Sequence, residues 1–123
     1  MKSELDETVD TVCLLPIDYA SFRIYTAVEL LRRSGYVAVQ SEVTVERLAA
    51  SLAAHPDWVD AWFVWSAETR AKTYLFIRDC GPEEWEVAWF DGDANQRSMR
   101  FVDRTWACAE YVLRELEAIA AAT

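Results

Sequence analysis

Four apolar-rich runs follow one another in the middle of the chain: Ala61-Trp62-Phe63-Val64-Trp65, Thr73-Tyr74-Leu75-Phe76-Ile77, Trp85-Glu86-Val87-Ala88-Trp89-Phe90 and Arg97-Ser98-Met99-Arg100-Phe101-Val102. Aromatic and β-branched residues favour the half-buried surface of a sheet. The connections carry turn chemistry. Asp79-Cys80-Gly81-Pro82-Glu83 is a turn signal, and Asp91-Gly92 is a strong short-range one. Along the third run, Trp85, Val87 and Trp89 fall on one face and Glu86, Ala88 and Phe90 on the other. The stretch reads as a four-stranded antiparallel meander with one strongly apolar face, and helices are the available cover for that face.

Upstream, Asp18 is a candidate N-cap. Tyr19, Phe22, Tyr25 or Ile24, Val28 and Leu31 then recur at helical spacing. Arg32 and Arg33 lie where the helix dipole favours cations, and Gly35 follows as a terminator. These signals predict one helix over 18–34. Residues 36–39 read as a short connection that can be extended. Thr44 caps a second helix, with Val45, Leu48, Ala49 and Leu52 as its stripe, and this helix stops before Pro56. Pro56-Asp57-Trp58 is compatible with one further helical turn. Downstream, Asp103 caps a last helix with Trp106, Ala109, Val112 or Leu113, Leu116 and Ile119 inward and a Glu110–Arg114 pair outward.

Residues 1–12, with Glu4, Asp6, Glu7 and Asp10 against Lys2, read as a flexible acidic segment. Val12 to Leu15 reads as a strand or extended arm ended by Pro16. The expected fold is therefore α+β: two N-terminal helices, a four-stranded antiparallel meander sheet and a C-terminal helix packed on it, forming a single domain over 13–123.

At 123 residues and 53% hydrophobic composition, the chain can bury one core without staples. Its net charge of −9 disfavours nucleic acid and anionic membranes and favours a basic partner. The three cysteines, Cys13, Cys80 and Cys108, are widely spaced and form no CxxC. Reduced thiols in a cytoplasmic protein are the expectation. The N-terminal residues contain no apolar core of a signal peptide, and no apolar run approaches the roughly 18 residues of a membrane span.

Catalytic patterns are missing. His55, the single histidine, precedes Pro56 at a helix end and reads as solvent-exposed. Cys108 reads as a packed thiol. Cys80 has acidic neighbours, Asp79, Glu83 and Glu84, which argue against a nucleophile there. Asp91-Gly92-Asp93-Ala94-Asn95 begins like a calcium loop, but Gln96 and Val102 stand where that loop needs glycine and glutamate. No enzyme activity, cofactor or metal is expected. A pocket for a small ligand between sheet and helices is a third class of reading.

The charge run Asp79 to Asp93 holds acids and no Lys or Arg. An acidic, aromatic-flanked surface of this kind steers a basic protein. The expected partner-binding residues are Glu83, Glu84, Trp85, Glu86, Trp89, Asp91 and Asp93, on a monomer or homodimer. The segments Trp85-Glu-Val-Ala-Trp-Phe90 and Arg100-Phe-Val-Asp-Arg-Thr-Trp-Ala-Cys-Ala-Glu-Tyr-Val-Leu-Arg-Glu-Leu116 resemble small bacterial immunity proteins of polymorphic toxin systems. The resemblance covers about the C-terminal half. It implies a protein that neutralises a cognate toxin by binding it, without chemistry, and it carries over no site residues. A secretion chaperone is the alternative, because those are also small, acidic and α+β.

Overall fold

A computed structural model describes residues 3–22, 24–73, 75–90 and 96–122. The chain is α+β, with seven α-helices and one three-stranded sheet among the described residues. In order they are α1 (Glu4–Cys13), α2 (Leu15–Ser21), α3 (Ala27–Ser34), α4 (Tyr36–Val39), α5 (Val45–Ala54), α6 (Pro56–Thr73), β1 (Leu75–Gly81), β2 (Glu84–Phe90), β3 (Gln96–Phe101) and α7 (Arg104–Ala121). The sheet is an antiparallel meander in the order β1-β2-β3. Helix α7 lies against all three strands and also meets α3, α5 and α6.

The largest correction is the first expected strand. Ala61 to Trp65 belongs to α6. Between Pro56 and Gly81 the chain has no glycine or proline to interrupt a helix. The buried residues Val59, Trp62 and Ser66 recur at three and four, the helical period. Aromatic residues sit on several faces of the helix, so composition mimicked a strand while packing decided for helix. Helix α6 also takes the place a fourth strand would have held. The Ile77 amide of β1 donates to Ser66 Oγ at 2.9 Å, and that hydroxyl lies 3.5 Å from the Ile77 carbonyl. A helix side chain thus satisfies the strand edge.

The predicted helix over 18–34 is two helices. Thr26 caps α3 in a reciprocal box with Glu29, and Phe22 leaves helical geometry at φ −112, ψ 70. The box outweighs the apolar periodicity because it satisfies donors that a continuous helix would not need satisfied. Asp18 lies inside α2, and Pro16 sits in its first turn instead of ending a strand. Residues 36–39 are helical, with Tyr36 fully buried. The acidic lead-in is also helical: Ser3 and Asp6 form a capping box, and α1 buries Val9, Val12 and Cys13. No extended arm occurs at Val12 to Leu15.

Several helix ends match. Gly35 ends α3 at φ 85, Thr44 caps α5, and Asp103 caps α7 by accepting from the Trp106 amide. The first hairpin turns at Pro82 and Glu83, with Glu83 at φ 55. The turn expected at 91–95 lies outside the described residues. Trp106 is exposed instead of inward. The core gathers Trp62, Tyr36, Leu48, Leu52, Tyr111, Val112 and Leu116 with Ile77 and Val87 of the sheet. Trp62 Nε1 donates to the Cys13 carbonyl at 2.8 Å, which ties α6 to the end of α1. No described helix is long and apolar enough to cross a membrane.

Candidate functional site

The expected contact residues divide between two faces of the sheet. Arg78, Glu86 and Arg100 sit side by side across β1, β2 and β3. Arg78 Nε donates to Glu86 Oε1 at 2.7 Å, and Arg100 comes within 3.6 Å of Glu86 Oε2. Arg100 also pairs with Glu84. Glu86 is only 4% exposed. A carboxylate at such burial needs partners, and the flanking guanidiniums provide them. The positive charges that pair with Glu84 and Glu86 come from neighbouring strands and are invisible within the run itself.

Trp85 and Trp89 alternate with these acids and pack from the opposite face against the core. Arg114 of α7 stands 3.6 Å over the Trp89 ring, with its Nε 2.9 Å from Glu110. The two tryptophans and the two glutamates therefore do not form one patch. Glu83 is exposed at the turn tip. Asp91 and Asp93 lie outside the described residues.

Exposed acids also lie on the helices. Glu4, Glu7, Glu46, Asp57, Glu68 and Glu117 are exposed and have no ion-pair partner among the described residues. One of them, Glu68, edges a cleft of about 360 Å³ between α2 and α6. Ile17, Tyr19, Ala61, Val64 and Trp65 line its apolar walls. The lining contains an acid and no base among the described residues. Tyr19 is 44% exposed and Val64 58%, unusual for residues of their size. Phe22 and Ile24, which follow α2, are exposed as well.

The walls of this cleft are held from below. The Tyr19 and Trp65 rings meet edge to face at 5.3 Å. Trp65 Nε1 donates to Glu115 Oε2 at 3.1 Å, and Tyr111 OH donates to the same oxygen at 2.9 Å. Glu115 is 2% exposed. Two neutral donors on one carboxyl oxygen fix the indole in orientation. Sequence reasoning missed this site because it needs Ala61, Val64, Trp65 and Glu68 on one helix. The spacing of Ala61, Val64 and Glu68 is the signal that could have found it.

Cys13 and Cys108 are buried. Burial, with Asp10 adding and a Ser51 hydrogen bond opposing, pushes the Cys13 thiol up to about 12. Burial and the nearby Cys13 also push Cys108 up. Both stay protonated. His55 is half-buried, not solvent-exposed as the sequence implied, and stacks on Trp58 at 3.6 Å. Ser51 donates to Asp10 at 2.6 Å, joining α5 to α1. No trio of His, Cys, Asp or Glu suited to a metal occurs among the described residues.

No family model, curated protein or solved structure matches the chain.

Proposed function

We propose that this chain is a non-enzymatic, acidic protein-binding domain, an immunity protein that neutralises a cognate bacterial toxin by direct binding. The observation that carries the reading is the α2/α6 cleft. It exposes aromatic and aliphatic side chains beside Glu68, an acid with no ion-pair partner among the described residues, on a chain of net charge −9. Exposed apolar groups rimmed by charge mark interaction sites. The contact surface moves from the sheet to the helices, since Glu86 is already matched by Arg78 and Arg100. Glu83 at the hairpin tip supplies a peripheral contact of the kind that accelerates encounter.

The direct test is co-expression with the product of the adjacent gene. The reading expects rescue of growth and a stoichiometric complex, with the toxin still folded when bound. Absence of both rescue and complex overturns it. The same apolar cleft favours a secretion chaperone as the second reading. A chaperone holds a non-native segment, so a partner that loses its tertiary circular dichroism on binding would select that reading instead.

A further inference from the structure

We infer that the α2/α6 cleft receives a short amphipathic helix of the partner, with basic residues at both ends of an apolar centre. This rests on the protein-binding reading above. Helix α6 provides the template. Asp57, Ala61, Val64 and Glu68 follow at four, three and four residues, so they share one face. Asp57, Val64 and Glu68 are exposed and Ala61 half-buried. That face is acid, apolar, apolar, acid. The acids lie eleven positions apart, about 16 Å at the rise of an α-helix.

Size and shape agree with a helix. A volume of about 360 Å³ takes a few side chains, not a folded surface. The walls are two helices, and the groove between two helices accepts the ridge of a third. A partner helix that puts two apolar residues against Tyr19 and Val64 brings its ends to Asp57 and Glu68. Lysine or arginine there meets carboxylates without an ion-pair partner among the described residues. A second copy of this chain fits badly. Two copies related by a two-fold axis on this cleft would oppose Glu68 to acids of the same face. A nucleic acid backbone would be repelled.

The experiment uses the full chain and a labelled synthetic peptide helix with leucines at i and i+3 and lysines at both ends. Anisotropy titrations compare it with a peptide carrying glutamates for lysines and one with a central proline. Val64→Arg, Tyr19→Ala and Glu68→Lys replace exposed or half-exposed groups, and circular dichroism verifies that each variant folds. The expected result is saturable binding of the lysine peptide only, weakened about tenfold or more by Val64→Arg. Equal binding by Val64→Arg, or equal binding of the proline peptide, overturns the inference. Titrating the toxin partner in parallel separates the two levels. If the toxin binds while the peptide ignores Val64→Arg, the helix is wrong and the function stands. If the peptide obeys the cleft variants and no toxin binds, the immunity reading fails and the cleft stands.

Discussion

Trp65 and Glu115 are joined by a 3.1 Å indole-to-carboxyl hydrogen bond in the part-buried seam between α6 and α7. The same carboxyl oxygen accepts from Tyr111, so one buried acid holds two aromatic donors. Trp65 in turn forms a wall of the α2/α6 cleft and meets Tyr19 edge to face. Packing at the core thereby sets the shape of a surface site.

Glu115→Ala removes the acceptor from both donors and leaves a cavity. We expect a loss of about 2–4 kcal/mol in urea unfolding, because two hydrogen bonds to a buried carboxyl and the packing of its side chain are lost. Glu115→Gln keeps an amide oxygen and should cost less. Partner affinity should fall for Glu115→Ala even at temperatures where the variant stays folded, because Trp65 is no longer oriented.

Ser66→Ala leaves the Ile77 amide without its side-chain acceptor. A destabilisation of about 1–2 kcal/mol is expected. Hydrogen exchange at Ile77 should accelerate selectively, while amides in the middle of α5 keep their protection. Unchanged exchange at Ile77 would mean that α6 does not cap the edge of β1.

Alkaline pH should destabilise the fold. Burial raises the Cys13 thiol from 9.0 to about 12, and burial with Glu117 raises the Tyr36 phenol from 10.0 to about 12. The unfolded chain releases these protons first. Their contribution is complete below about pH 9 and is lost as pH rises toward about 12. The Tyr36 hydroxyl has no hydrogen-bond partner among the described residues. Tyr36→Phe should therefore be neutral or stabilising by up to about 1 kcal/mol, and it should flatten the upper part of the alkaline decline. In thiol labelling of the native chain, Cys80 should react while Cys13 and Cys108 wait for unfolding.

Charge reversal at Glu86 should damage the fold before it reports on binding. Glu86→Lys sets a buried cation between Arg78 and Arg100, and a loss of about 3–5 kcal/mol is expected. Glu83→Lys, at the exposed turn, should leave the unfolding midpoint unchanged. It should slow partner association, with the difference shrinking at high salt.

The sheet was legible where local rules agree. The runs expected at 73–77, 85–90 and 97–102 became strands over 75–77, 85–90 and 97–101, with Thr73 ending α6 and Val102 past β3, because Gly81-Pro82 and the alternation of Trp85, Val87 and Trp89 act over a few residues. Thr44, Asp103 and Gly35 marked helix ends for the same local reason. Ala61 to Trp65 misled because aromatic residues on several faces of a helix erase its period. The ion pairs of Glu84 and Glu86 were not legible in the run 79–93, since Arg78 and Arg100 reach them only after the strands pair. The cleft was hidden twice. It required the helical reading of α6 and the break that separates α2 from α3.

The most direct measurement is calorimetric titration of the proposed partner, the product of the adjacent gene, into the wild-type chain and into Val64→Arg. The account predicts a saturable complex with the wild type and an affinity lower by about tenfold or more with Val64→Arg, whose fold is intact by circular dichroism. Equal affinity for both chains would contradict it, and would place the contact surface away from the cleft of α2 and α6.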